Sequence, residues 1–301
     1  MKLFLSLLLC LALGVASPAL AAGKELVASV FPVWLLLRQV ARDVPDTTVT
    51  LLLPAGTGCP HDYSMTPQDR RALARADVLV MNGLGLESFL GSPEKTAKLM
   101  KEDAVLIDIS RNVDGLLDDD DDGHEDHGHG KNPHIFASPA MMARMADSLA
   151  GQLAQKDPEH AGLYLANAGR IKEPLKALAD EYAALGERMS GRGVVVQHNV
   201  FSYLARDAGL RVDALVQPHE GQEPSAREML ELVRTIRDKK TAAVITEPQY
   251  PDRTGRTLAA ETGIPCLSLD PVAGGPDNAP ADYYEQVMRE NLRVLENALG
   301  K

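Results

Sequence analysis

The chain has 301 residues, with 42 acidic and 31 basic side chains and a formal charge of −11. That length suggests two domains, and a hydrophobic content of 45% excludes a wholly disordered chain. The acidic balance argues against nucleic acid and against an anionic membrane surface, both of which ask for clustered Lys and Arg.

Residues 1–21 read MKLFLSLLLCLALGVASPALA. Lys2 gives a positive start, Leu3 to Leu13 is an apolar run interrupted by Ser6, and Ala19-Leu20-Ala21 is a small-x-small cleavage signal. This pattern is a secretory signal peptide, and the apolar run falls short of the ~20 residues of a membrane-spanning helix. Cleavage removes Lys2 and takes the formal charge from −11 to −12. Lipid anchoring at Cys10 is not expected, because Leu7-Leu8-Leu9 offers no small residue at the junction. Cys59 and Cys266 remain, in a compartment that permits disulfides.

Along the N-terminal half, residues 22–156, short apolar runs alternate with helical stretches. Strands are expected at 25–31, 47–53, 77–81 and 104–109. Helices are expected at 32–42, from Thr66-Pro67 to about 75, and from Ser138-Pro139 to about 155. Such alternation implies parallel β-α-β units.

Residues 157–190 keep a helical spacing through Leu163, Tyr164, Ile171, Leu175, Leu178, Tyr182 and Leu185, with Pro174 inside the pattern. A helix of that length suits a backbone joining two lobes, and Pro174 is a candidate kink. From 191 to 301 the alternation returns. Strands are expected at 193–197, 210–216, 242–246 and 265–269, and helices near 201–208, 225–239, 254–262 and 281–299. The expected architecture is therefore two α/β lobes bridged by a long helix.

One segment breaks the pattern. Residues 114–130 read DGLLDDDDDGHEDHGHG, with eight carboxylates and His124, His127 and His129. Self-repulsion predicts a disordered loop. A plain solvated loop would account for the acidic run, whereas interleaved His favours weak, multivalent metal capture.

His61, His134 and His198 each follow a predicted strand, and Asp270 directly ends one. Ligands in open parallel sheets gather outside strand carboxyl ends. Two such residues per half would meet in a cleft between facing lobes. Three imidazoles and a carboxylate suit Zn²⁺, with weaker affinity for Mn²⁺. His219 reads as a turn residue or as an outer or fifth ligand. Glu247 reads as a ligand-orienting carboxylate or as a cap. His160, beside Glu159, is expected to be exposed.

These residues sit in recognisable stretches: HDYSMTPQD (61–69), ADVLVMNGLGLESFL (76–90), NPHIFASP (132–139), EPSARE (223–228) and SLDPVAG (268–274). Together, over essentially the whole mature chain, they resemble the metal-binding components of zinc and manganese ABC importers, the cluster A-I or ZnuA/TroA-like proteins. The resemblance implies two Rossmann-like lobes joined by a rigid backbone helix, with a metal ion held between them by His61, His134, His198 and Asp270. It implies a periplasmic carrier, monomeric and not an enzyme, that hands its ion to a membrane ABC permease. His198 favours zinc, since manganese-type members commonly carry Glu there. Two positions depart from the pattern. Asn199 stands where many members have Asp, and Cys59 stands two residues before His61, where Cys is unexpected. Cys59 and Cys266 read as inert thiols, as a disulfide across the cleft, or as a thiolate on the metal. Two other functions fit less of the sequence: a secreted zinc hydrolase, for which no HExxH or nucleophile set is found, and a metal-buffering or adhesive surface protein built around the loop.

Overall fold

The computed structural model describes residues 23–58, 60, 63–119, 130–189, 191–217 and 223–300. The signal peptide with Cys10, the central part of the acidic segment with His124, His127 and His129, and also Cys59, His61 and His219 lie outside the described residues.

The first sheet contains β1 (Lys24–Ala28), β2 (Thr47–Leu51), β3 (Val78–Met81) and β4 (Val105–Asp108), all parallel, in the order β2-β1-β3-β4. The second contains β5 (Gly193–Val196), β6 (Arg211–Leu215), β7 (Ala243–Thr246) and β8 (Cys266–Ser268), also parallel, in the order β6-β5-β7-β8. The two sheets thus share one topology. In each, the strand order reverses beside the first strand, between β1 and β3 and between β5 and β7. Crevices at the carboxyl ends of such strands are where α/β sheets bind ligands. β5 and β7 are buried along their whole length, as parallel strands covered on both faces must be.

Around the first sheet lie α1 (Phe31–Val40), α2 (Pro67–Leu73), α3 (Pro93–Ala97) and α4 (Pro139–Lys156). The second carries α6 (Ser202–Asp207), α7 (Ala226–Lys239), α8 (Arg253–Thr262) and α9 (Tyr283–Leu299). Helix starts are fixed by caps visible in the sequence. Thr66 and Ser225 each form a capping box, with Asp69 and Glu228 respectively, and the Ser138 hydroxyl accepts from Met141 N. Most strands end one or two residues inside their expected limits, and the short α3 lies where no helix was expected.

α5 (Ala161–Met189) is the bridging helix, 29 residues long, or about 43 Å at 1.5 Å per residue. It runs unbroken past Pro174, which sits on the exposed side. Its buried stripe is Tyr164, Ala168, Ile171, Leu175, Leu178, Tyr182, Leu185 and Met189. Near its N-terminus, Asn167 donates to Val40 O and Arg42 O, which caps the carboxyl end of α1. Further along, Tyr182 donates to Met288 O of α9 at 2.6 Å. One continuous hydrophobic core therefore runs from β1 and α1 through α4 and α5 to α6 and α9. A second cluster, Val195, Val216, Leu232, Ile236, Val244, Leu258 and Ala259, fills the other face of the second sheet under α7 and α8. Among the described residues no helix is long and apolar enough to cross a membrane.

His160 departs from its expected exposure. A 3₁₀ turn over Pro158–His160 precedes α5. There His160 Nδ1 lies 2.9 Å from Asp157, which also meets Lys24 Nζ at 2.9 Å and accepts from Tyr164 Oη at 3.0 Å.

Glu87 closes the carboxyl ends of β1 and β3. It is buried and accepts from Ser29 Oγ at 2.7 Å, Asn82 N at 2.7 Å and Gly83 N at 3.1 Å. Gly83 is obligatory at this turn. Its φ is +88°, and a Cβ there would fall 2.0 Å from Asp108 Oδ1. Desolvation raises the Glu87 carboxyl from its ordinary 4.5 to about 7, against the pull of its three donors. Because the folded value is the higher one, this group's contribution to stability is fully present below pH 4.5 and is lost as pH rises through about 7. Comparing urea unfolding of the wild type and Glu87→Gln between pH 4.5 and 7.5 should show the wild type losing roughly 3 kcal/mol relative to the variant. Parallel pH profiles would contradict this reading.

Candidate metal centre

His198 and Glu247 emerge at the crevice of the second sheet. His198 follows β5 and Glu247 follows β7, the two strands between which the order reverses. Both are buried, at 5% and 1% exposure. His198 Nδ1 stands 2.5 Å from Glu247 Oε1. A carboxylate there takes the Nδ1–H, which leaves Nε2 as the nitrogen with the lone pair. Carboxylate–histidine pairs of this kind orient metal-binding imidazoles and raise their basicity.

His134 reaches the same place from the other lobe. Its loop is held beside the first sheet's crevice by Asn82, whose Nδ2 donates to Pro133 O at 2.9 Å. A 3₁₀ turn over Ile135–Ala137 and the Ser138-Pro139 start of α4 follow at once. Asn132 Oδ1 accepts from His134 N at 2.9 Å and lies 3.1 Å from His134 Nδ1. Since a backbone N–H already points at that atom, it is the amide oxygen, and Nδ1 must be the protonated nitrogen. That leaves the lone pair on Nε2, as in His198. The two rings lie with centroids 5.3 Å apart and planes at 75°. Phe136 and Tyr250 flank them, at 5.9 Å from His134 and 5.8 Å from His198.

Asp270 follows β8, the outermost strand of the second sheet. Its Oδ1 accepts from Gln249 Nε2 and Val272 N, both at 2.8 Å. Its backbone is clamped by Asn291, which accepts from Asp270 N at 2.9 Å and donates to Asp270 O at 2.7 Å. The turn holds buried Val272 at φ +65°, a conformation a β-branched residue adopts only under constraint. Burial raises the Asp270 carboxyl, countered by the Val272 and Gln249 donors. That raised proton affinity marks a carboxylate that gains from a cation beside it.

The loop after β7 serves both parts of the centre: Glu247 and Tyr250 meet His198, and Gln249 holds Asp270. Beside Asp270 lies a cavity of about 210 Å³ whose lining includes Gly56 of the first lobe and Pro248, Gln249, Gly275 and Tyr283 of the second. Among the described residues, no three His, Cys, Asp or Glu side chains close on a single point. The structure brings His134 and His198 together, and holds Asp270 by Gln249, from the loop that also carries Glu247. His61 and His219 lie outside the described residues, so their positions remain sequence expectations.

Cys266 carries a free thiol, not a cross-cleft disulfide. Its Sγ lies 4.0 Å from Thr246 Oγ1 and close under Gly255 of α8, and burial pushes the thiol up. Asn132, Gln249, Asn291 and Tyr250 were not expected from the sequence. Asn132 carried a signal, two residues before His134 in NPHIFASP, and so did Gln249 and Tyr250, just after Glu247 on a strand-end loop.

Comparison with known proteins gives a consistent picture. The family described as "ZnuA: Zinc-uptake complex component A periplasmic" matches residues 26–298. The high-affinity zinc uptake system protein ZnuA of Bacillus subtilis (strain 168) is 26% identical over 284 residues, which is 91% of this chain and 87% of that protein. The zinc-binding lipoprotein AdcA of Streptococcus pneumoniae serotype 4 is 28% identical over 91% of this chain, which spans only 56% of AdcA. Among solved structures, the solute-binding protein FpvC of Pseudomonas aeruginosa in complex with Mn²⁺ superposes with a TM-score of 0.81 at 26% identity, covering 92% of this chain and 98% of that one.

Proposed function

Since the chain belongs to the periplasmic zinc-uptake component A family, we propose that it captures Zn²⁺ between its lobes and delivers it to a membrane ABC permease. The observation that carries this reading is the buried pair His134 and His198, one from each lobe. Each has Nδ1 turned to an oxygen, so that each carries its lone pair on Nε2. His61 and Asp270 complete a ligand set of three imidazoles and a carboxylate, which suits tetrahedral Zn²⁺. Such a saturated set holds an ion without activating a water, so the chain carries its metal and transforms nothing. Manganese is the alternative cargo, favoured by the likeness to an Mn²⁺-bound protein. A third imidazole at His198, in place of a carboxylate, supports zinc.

The mature chain is exported by residues 1–21, works as a monomer and folds as lobes 22–156 and 191–301 about the linking helix 157–190. His124, His127 and His129 serve as weak, multivalent metal capture, and His219 as an outer or fifth ligand. In a bacterium lacking its own zinc-uptake component and grown with a zinc chelator, expression of this chain should restore growth. His198→Ala should not. Tight zinc binding with no recovery of growth would point to buffering or adhesion instead.

A further inference from the structure

The amide side chain of Asn132 is buried at 0% exposure and engaged on every polar group. Oδ1 accepts from the backbone N–H and Nδ1–H of His134. Nδ2 donates to Asn199 O at 2.9 Å, and Asn199 directly follows His198 in the chain. The backbone of Asn132 is bonded as well. Its N–H donates to Leu117 O at 3.0 Å, and its carbonyl accepts from Tyr203 Oη at 2.8 Å. The same Tyr203 oxygen accepts from Leu117 N at 3.1 Å.

Leu117 belongs to the neck from which the acidic segment leaves and to which it returns. That neck is closed by Asp118–Lys131 at 2.5 Å and by Asp119 N donating to Gly130 O at 3.0 Å. A second tie joins it to the other lobe, where Asn199 Nδ2 donates to Asp119 Oδ1 at 2.9 Å. Three pieces of chain therefore meet at one buried residue: its side-chain amide joins the His134 and His198 loops, and its backbone joins the neck.

We propose that Asn132 is the positioning residue of the metal centre. It selects the Nδ1–H tautomer of His134, fixes the spacing of His134 from His198 across the lobes, and joins both to the neck of the acidic segment. The argument is one of donors and acceptors. Oδ1 can only accept, so a neutral His134 must present its proton at Nδ1 and its lone pair at Nε2. Without that acceptor nothing in this contact distinguishes the two tautomers, and the wrong one offers the metal an N–H. Nδ2 faces a carbonyl, which can only accept, so the amide cannot rotate by half a turn without losing both sets of bonds at once. The neck tie assigns Asn199 a task that Asp could not perform: an amide N–H can donate to Asp119, whereas a carboxylate would repel it.

The metal-binding part of this proposal rests on the zinc reading; the tautomer part does not. Long-range ¹H–¹⁵N NMR of histidine-labelled apo protein at pH 8 reads the His134 tautomer directly, and chelator competition reads zinc affinity on the same samples. The wild type should show His134 as Nδ1–H. Asn132→Ala should shift His134 towards Nε2–H and weaken zinc binding by roughly 10–100-fold, the usual cost of losing such a partner. Asn132→Asp keeps the acceptor at nearly the same size and guards against a folding defect. It should retain the Nδ1–H form while losing the bond to Asn199 O, and should recover part of the affinity. Asn199→Ala leaves Asn199 O in place and should preserve the tautomer. A wild-type His134 in the Nε2–H form, or an Asn132→Ala protein with tautomer and affinity both unchanged, would overturn the proposal. An intact tautomer pattern with no tight zinc site in the wild type would refute the zinc reading and leave the tautomer assignment standing.

Discussion

Replacing His198 with Ala should lower zinc affinity by more than roughly 100-fold, whereas Glu247→Gln should lower it by roughly 10–100-fold. The order follows from where each group stands. His198 supplies an Nε2 lone pair to the ion, and its ring neighbours among the described residues are Tyr250 and His134, the latter already proposed as a ligand. Glu247 acts through His198 Nδ1 at 2.5 Å. Gln at 247 still presents an oxygen to the Nδ1–H, so ring orientation survives, but the negative charge that raises imidazole basicity is gone. The two variants should also separate in their pH dependence. Imidazoles must shed a proton to bind metal, so affinity falls as pH drops through the histidine range near 6.5. Loss of the Glu247 charge should leave that fall in place, whereas His198→Ala removes one of the protons that compete. Equal losses for both variants, or a larger one for Glu247→Gln, would contradict the assignment of His198 as the ligand.

The second large effect is on folding. Only the native chain assembles a site from both lobes, so bound zinc adds RT ln(1 + [L]/Kd), about 4 kcal/mol at a thousandfold excess over Kd. For a chain of this size each kcal/mol is worth about 2–4 °C. Zinc should therefore raise the unfolding temperature by roughly 10 °C, and a chelator should reverse the rise. The single core running through α4, α5, α6 and α9 predicts that both lobes gain together, in one transition. Two separate transitions, only one of them moved by zinc, would mean that the ion is held within a single lobe.

Much of this architecture was legible in the sequence because its signals are local. Short β-branched runs such as VVV at 194–196 read as strands covered on both faces, and the structure has one there. Thr66-Pro67, Ser138-Pro139 and Ser225 announce helix starts through hydrogen bonds that span three residues. His134 and His198 stood out because strand ends in parallel sheets face a crevice, and the repeated strand order of the two sheets explains why one from each half arrives at the same place. The supporting amides were not legible. Asn132 finds Asn199 across 67 positions, and Asn291 reaches Asp270 across 21. No periodicity encodes such pairings; they exist once the lobes have packed. His160 is a different case: its partner Asp157 is only three residues away, while Lys24 reaches that same carboxylate from across the fold. Of the three readings open for Cys266, the free thiol under α8 matches the inert one. β8 ends at Ser268, so Asp270 lies beyond the strand, and strand alternation does not carry from Cys266 to it.

The central claim is that one zinc ion is held between the lobes by ligands from both. A chelator-competition titration of the apo chain, freed of residues 1–21, with Zn²⁺ and with Mn²⁺ tests it most directly. The account predicts one tight zinc site per chain, far weaker for manganese, and absent from His198→Ala. Several weak sites that persist unchanged in that variant would place the binding in the acidic segment and contradict the inter-lobe centre.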